Sequence, residues 1–181
     1  MKQFNFTLIF IVFLLLFSNC KERENDSISL PEATQSGAKT GGAIVNGRIW
    51  VASNKYVNTL GGDGTYCELY NNTAIIKIDL RNVTDNSRIF LKTAIQNFQL
   101  NKTYYLTQNP DTKDYDYATY SEHEKGFSTQ PNSEYIGEIK ISRLDIQNQI
   151  VSGTFTFKGL DLYGNNGEVE VKDGRFDRKF D

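Results

Sequence analysis

"AIVNGRIWVA", residues 43–52, sets two apolar runs on either side of Asn46-Gly47. Asn and Gly both accept the positive φ that a type I′ turn requires, and that turn suits the twist of two antiparallel strands. A two-residue loop also fixes register, so Ile44 is expected to face Ile49 and Val45 to face Arg48. The stretch therefore predicts a β-hairpin.

Outward from this hairpin the apolar residues keep a period of two. Ile76, Ile78 and Leu80 share one face of a strand over 73–80, and shorter strands are expected over 88–92 and 102–106. In "EYIGEIKISRLD" Ile139 and Ile141 alternate with Lys140 and Ser142. In "IVSGTFTFKGLD" Val151, Phe155 and Phe157 alternate with Ser152, Thr154 and Thr156. Such alternation marks half-buried antiparallel strands. "LDIQNQ" reads as the connection between them, and "GEVEVKDGRF" as a last strand through Val169 and Val171 with a turn at Asp173-Gly174. No stretch carries the 3.6-residue period of an amphipathic helix. The fold class is all-β, an antiparallel β-sandwich or a partly open β-barrel.

The N-terminus follows different rules. Leu8 to Phe17, "LIFIVFLLLF", is an unbroken apolar run behind the single charge of Lys2. It is far shorter than the roughly 20 residues a spanning helix needs and falls within the range of a signal-peptide core. "FSNC" then resembles a bacterial lipobox with Cys20 at the cut, although Phe17 and Asn19 depart from its usual residues. On that reading residues 1–19 are a lipoprotein signal peptide. The Cys20 thiol takes a diacylglyceryl group, and several acyl chains give an anchor that one chain cannot. Residues 20–42 read as a lipidated flexible tether, because "KERENDSISLPEATQSGAKTGG" holds too little apolar surface to repay ordering. Residues 43–181 remain as a single β domain. Lipidation of Cys20 removes the disulfide that two cysteines would suggest, and Cys67 beside Tyr66 then reads as a small buried hydrophobe.

"LPEATQSGAKTGGAIVNGRIW" at Leu30 to Trp50, with "VSGTFTF" at Val151 to Phe157 and "VKDGRFD" at Val171 to Asp177, resembles the opening and closing signatures of a Bacteroidota, Flavobacterium-type lipoprotein domain family of unknown function. Gly42 departs from that pattern, where an aromatic followed by Gly, or a Cys, is usual. The resemblance implies an exported β-rich lipoprotein and no reaction. The acidic cluster Glu22, Glu24 and Asp26 around Arg23 resembles the export signal that sends many lipoproteins of that phylum to the outer membrane. "DSI" at Asp26 to Ile28 resembles its O-glycosylation motif, with Ser27 as acceptor.

Candidate chemistry is sparse. With 20 basic and 22 acidic side chains the net charge of −2 offers no footprint for nucleic acid or another polyanion. The single histidine, His123 in "YSEHEKGF", cannot build a His-rich zinc site, and no Gly-x-Ser-x-Gly supplies a serine for a hydrolytic triad. Oxygen-rich loops at Asp63, at Asp111, Asp114 and Asp116, and at Asp161 and Glu168 lack the calcium-loop spacing, and their residues are those that turns demand. No cofactor or metal is expected. The aromatics say more, since tyrosines cluster at 104, 105, 115, 117, 120 and 135. In "DYDYATY" Tyr115 and Tyr117 share a strand face, each beside a carboxylate, and together with Tyr120 they are the candidate ligand-binding residues; stacking on a sugar ring is the chemistry such a stripe allows. Core packing at sheet edges is the competing use of tyrosine. The expected protein is a non-catalytic, outer-membrane, lipid-anchored module that binds a glycan or another envelope protein. A carboxylate-based enzyme acting on a glycan and a structural envelope protein are the alternatives.

Overall fold

The computed structural model describes residues 29–53, 65–108 and 115–180. Cys20 and Ser27, the expected lipidation and glycosylation positions, lie outside the described residues, as do Asp63, Asp111 and Asp114. Every element among the described residues is a strand: β1 (Thr40–Val45), β2 (Arg48–Val51), β3 (Tyr66–Tyr70), β4 (Thr73–Asn82), β5 (Ser87–Gln96), β6 (Thr103–Leu106), β7 (Tyr117–Glu122), β8 (Lys125–Ser128), β9 (Gly137–Asp145), β10 (Ile150–Asp161) and β11 (Glu168–Lys179).

All pairings are antiparallel, in the order β2-β1-β11-β10-β8-β7-β5-β4-β3. At β10 the sheet branches. Its residues 150–157 pair with β9, which carries β6 on its other edge, while Leu160 and Asp161 pair with β8. One long strand thus feeds two neighbours on the same side, and the sheet curls into a half-barrel. The β2 end of the path approaches β4 and β5: Ser53 N–H donates to the Arg81 carbonyl at 2.7 Å, and the buried Trp50 indole N–H donates to Ser87 Oγ at 2.6 Å.

The first hairpin has the register its turn demands, Ile44 opposite Ile49 and Val45 opposite Arg48, with φ of 47° at Asn46 and 78° at Gly47. Even-numbered residues of β4 and odd-numbered residues of β5 point inward, so Ile76, Ile78, Leu80, Ile89 and Leu91 are fully buried. Burial of each such side chain contributes about 1.5–3 kcal/mol. The same parity buries Ile139, Ile141, Val151, Phe155 and Phe157, and Cys67 joins the core from β3. Gly153 is there for space, because a Cβ would stand 2.3 Å from the Lys140 carbonyl oxygen of β9.

Asp173-Gly174 corrects one expectation. It is a bulge inside β11 rather than a turn: Asp173 takes φ of 49°, and the register shifts there against both β10 and β1. A strand held on both edges cannot reverse, so the left-handed residue is absorbed as an extra residue that bends it.

Part of the segment expected as tether meets the domain. The Asp177 side chain, only 1% exposed, accepts hydrogen bonds from Thr34 Oγ1 at 2.6 Å, Ser36 N–H at 2.9 Å, Gly37 N–H at 2.8 Å, Ala38 N–H at 3.1 Å and Ser152 Oγ at 2.7 Å. Three successive backbone amides turned toward one carboxylate form an anion nest. Burial alone would raise this carboxyl's pKa; the hydroxyls of Thr34 and Ser152 and the amides of Ala38 and Ser36 outweigh it and hold the group well below the usual carboxylate range. Composition cannot reveal such a contact, since the donors supply polar hydrogens to one buried acid rather than apolar surface.

Candidate functional site

The outward faces of β3, β4, β5 and β7 carry the aromatics and cations together. Tyr66 of β3 pairs with Lys77 of β4, Lys77 with Lys92 of β5, and Lys92 with Tyr117 of β7. Cross-strand partners share a face, so these residues form one row, Tyr-Lys-Lys-Tyr, about 14 Å across at the usual strand spacing. Beside it runs Asp79-Phe90-Thr119, and beyond that Arg81-Arg88-Ser121.

Each cation rests on a ring or a carboxylate. The Lys77 ammonium lies 5.1 Å from the Tyr66 ring centre, and the Lys92 ammonium lies 4.0 Å from that of Tyr115 and 5.7 Å from that of Tyr117. Such contacts at partly exposed positions contribute about 0.5–1 kcal/mol each. The Arg88 guanidinium lies 4.7 Å over Phe90, whose ring centre is 6.0 Å from that of Tyr117. Arg88 and Arg81 both grip the buried Asp79: Arg88 donates from Nε at 2.7 Å and Nη2 at 2.9 Å, and Arg81 from Nη2 at 2.7 Å. Two guanidiniums thus meet on one carboxylate.

Tyr115 reaches this row although it precedes β7. Asp116 takes φ of 72°, and its Oδ1 accepts from Thr93 Oγ1 at 2.5 Å and from Ala94 N–H at 3.1 Å. That pin turns the chain so that Tyr115 and Tyr117 flank Lys92. It also spends the Asp116 carboxylate on the fold, so the acid expected beside the ring is not offered to a ligand. Burial pushes the Tyr117 phenol pKa up, partly countered by the Arg88 charge, and the ring stays neutral.

Tyr120 does not join the pair. Three residues on in a period-two strand is the opposite face. Tyr120 points into the core, stacks 6.3 Å from Phe127 and donates its O–H to Glu122 Oε2 at 2.8 Å. Burial, with that carboxylate, pushes its phenol far up. His123 sits exposed in the β7–β8 turn with φ of 52°, its Nδ1 3.9 Å from Glu122 Oε1. Asp161 accepts from the Tyr163 N–H at 2.7 Å within its own loop, and among the described residues no group of three His, Cys, Asp or Glu side chains is placed to hold a metal.

A second concave surface, about 490 Å³, lies over β9, β10 and β11. Thr154 and Thr156 line it with Glu138, Lys140, Asp173 and Arg175. The segment before β1 walls one side through Ala33, and Arg175 Nη1 donates to the Pro31 carbonyl at 3.4 Å. Its charges are of both signs and it lacks tyrosines.

Residues 42–178 match the model of a family described as a domain of unknown function, DUF6252. The chain belongs to this family. No curated protein and no solved structure matches it. The match covers nearly the whole DUF6252 sheet, β1 included from Gly42, and stops one residue past the nested Asp177; the donors at 34–38 precede it.

Tyr115 and Tyr117 stand out in the sequence, whereas Tyr66, Lys77, Phe90, Arg88 and Lys92 do not. Only strand pairing across the chain unites them, and the one local signal was parity: outward positions of β4 and β5 that carry Lys, Arg and Phe.

Proposed function

We propose that this protein is an exported, lipid-anchored binding module of the cell envelope, and that the β3–β4–β5–β7 face takes a glycan. The observation that carries the glycan reading is the Lys92 ammonium set between the rings of Tyr115 and Tyr117, with Phe90 alongside. An ammonium occupies one face of a ring and leaves the other for a sugar's C–H face, while ammonium and guanidinium groups donate to hydroxyls and acid groups. The rings are already held by Asp116 and by cross-strand packing, so little ordering cost falls on binding.

The anchor rests on the apolar run before Cys20 and the abrupt change to charge after it. The acidic residues after Cys20 favour outer-membrane delivery, and Ser27 in "DSI" is the position proposed for O-glycosylation. Cys20→Ser should abolish labelling by an alkyne fatty acid and release the protein from the membrane fraction; unchanged labelling would refute the anchor. For the face, the full-length chain on a glycan array should give signal that Tyr117→Ala removes. Signal that survives both Tyr115→Ala and Tyr117→Ala would place the site elsewhere.

A further inference from the structure

Resting on the glycan reading of this face, we infer that the saccharide it takes is acidic, with carboxylate or sulfate groups spaced along an otherwise neutral chain. Lys77 and Lys92 stand directly opposite each other on neighbouring strands. Like charges so placed repel, at a cost of about 0.2–1 kcal/mol. Among the described residues neither has a carboxylate within ion-pair distance; what each has is a tyrosine ring. Stability alone would favour a Lys-Glu pair at these positions. An anionic group bridging both ammoniums would turn the repulsion into attraction.

Further cations lie beside them. Arg81 and Arg88 both donate to the Asp79 carboxylate, and their side chains stay 34% and 41% exposed above it. Among the described residues two other acids lie nearby: Glu68, at the β3 edge, accepts the Tyr66 O–H at 2.6 Å, and Asp116 accepts from Thr93 and Ala94. Lys77, Arg81, Arg88 and Lys92 thus crowd a region whose acids, among the described residues, are Asp79, Glu68 and Asp116, an excess of cations in a chain of net charge −2. The composition conceals this patch because it sums charge over the whole chain.

Spacing selects the class of anion. Lys92 and Arg88 are four residues apart along β5, roughly 13 Å at the rise of an extended strand, and Phe90 lies between them. Two cationic pairs thus flank a row that holds the Phe90 ring and the Asp79 carboxylate, which Arg81 and Arg88 cover. A duplex nucleic acid presents a charge about every 1.7 Å along its axis and would leave most of its phosphates unmatched here. A glycan whose acid groups are separated by uncharged sugar surface meets both the cations and the rings.

The test compares polygalacturonate, alginate and chondroitin sulfate with methyl-esterified polygalacturonate and with duplex DNA, each titrated against the full-length chain in detergent. At least one acidic glycan should bind. Where it is polygalacturonate, esterification should weaken binding about tenfold or more, the scale of one lost charge-assisted contact. Lys77→Gln and Lys92→Gln should each weaken it similarly while the melting temperature stays within about 2 °C, since neither lysine is buried. Equal binding of acid and ester would overturn the acidic class and leave the glycan reading standing. Binding of none of the saccharides would overturn both, and DNA bound as tightly as the best saccharide would replace them with a general polyanion surface.

Discussion

Asp177→Asn removes one charge and changes almost no volume, and its cost can be worked from the nest. In the wild type Oδ2 accepts from Thr34 Oγ1, Ser36 N–H and Ala38 N–H, and Oδ1 from Gly37 N–H and Ser152 Oγ. An asparagine must set its NH₂ at one of these positions. With NH₂ in place of Oδ1 the Ser152 hydroxyl can turn and accept, but the Gly37 N–H meets a donor and stays buried without an acceptor. One buried donor left unmade costs about 1–3 kcal/mol, and the remaining bonds weaken as the charge goes. The expected loss is about 2–4 kcal/mol, read by urea denaturation at pH 7. The pH dependence adds a sign. The Asp177 pKa is depressed in the folded state, so its contribution is fully present above the ordinary carboxyl pKa, near 4, and falls as the pH drops toward the folded value. The wild-type advantage over Asp177→Asn should therefore shrink below about pH 4, by up to about 1.4 kcal/mol per pH unit. A difference below about 0.5 kcal/mol at pH 7, or one constant down to pH 3, would refute the nest as a stabilising contact.

Other outcomes follow from the same geometry. A fragment of residues 43–181 lacks Thr34 to Ala38 and should be less stable than a fragment of residues 29–181 by at least the Asp177→Asn loss, read from the two denaturation midpoints. Gly153→Ala would force a Cβ against the Lys140 carbonyl and should cost more than about 2 kcal/mol; a near-neutral melting temperature would show that β9 and β10 can separate there. Tyr120→Phe should leave glycan binding within twofold or so, because Tyr120 is a core residue whose O–H is turned to Glu122 and Ser87, whereas Tyr117→Ala should abolish it.

The fold was legible wherever one face meets the core and the other does not. Ile76, Ile78 and Leu80, or Phe155 and Phe157, announce their strand by parity alone, and Asn46-Gly47 announces its turn by backbone chemistry. Asp173-Gly174 has the same turn chemistry and makes none, because β1 and β10 hold β11 on both edges past that point. The site was half legible for a related reason. Tyr115 and Tyr117 are close in sequence, but Lys77 and Lys92 come from two strands and Tyr66 from a third, and no local pattern states which outward residues stand in one row. Tyr120 was grouped with the other two by proximity, when counting by two would have separated it. The Asp177 nest was invisible, since its donors at Thr34 to Ala38 lie at the far end of the chain and look, by composition, like linker.

A map of backbone amide shifts in isotope-labelled protein, on addition of an oligosaccharide of whichever acidic glycan binds, tests the β3–β4–β5–β7 face as the binding site most directly. Saturable changes should centre on Lys77, Lys92, Tyr115 and Tyr117, extend to Phe90 and Arg88 and be absent from a Lys77→Gln, Lys92→Gln double variant. Changes centred instead on Lys140, Thr154, Thr156 and Arg175 would move the site to the groove over β9–β11 and contradict it.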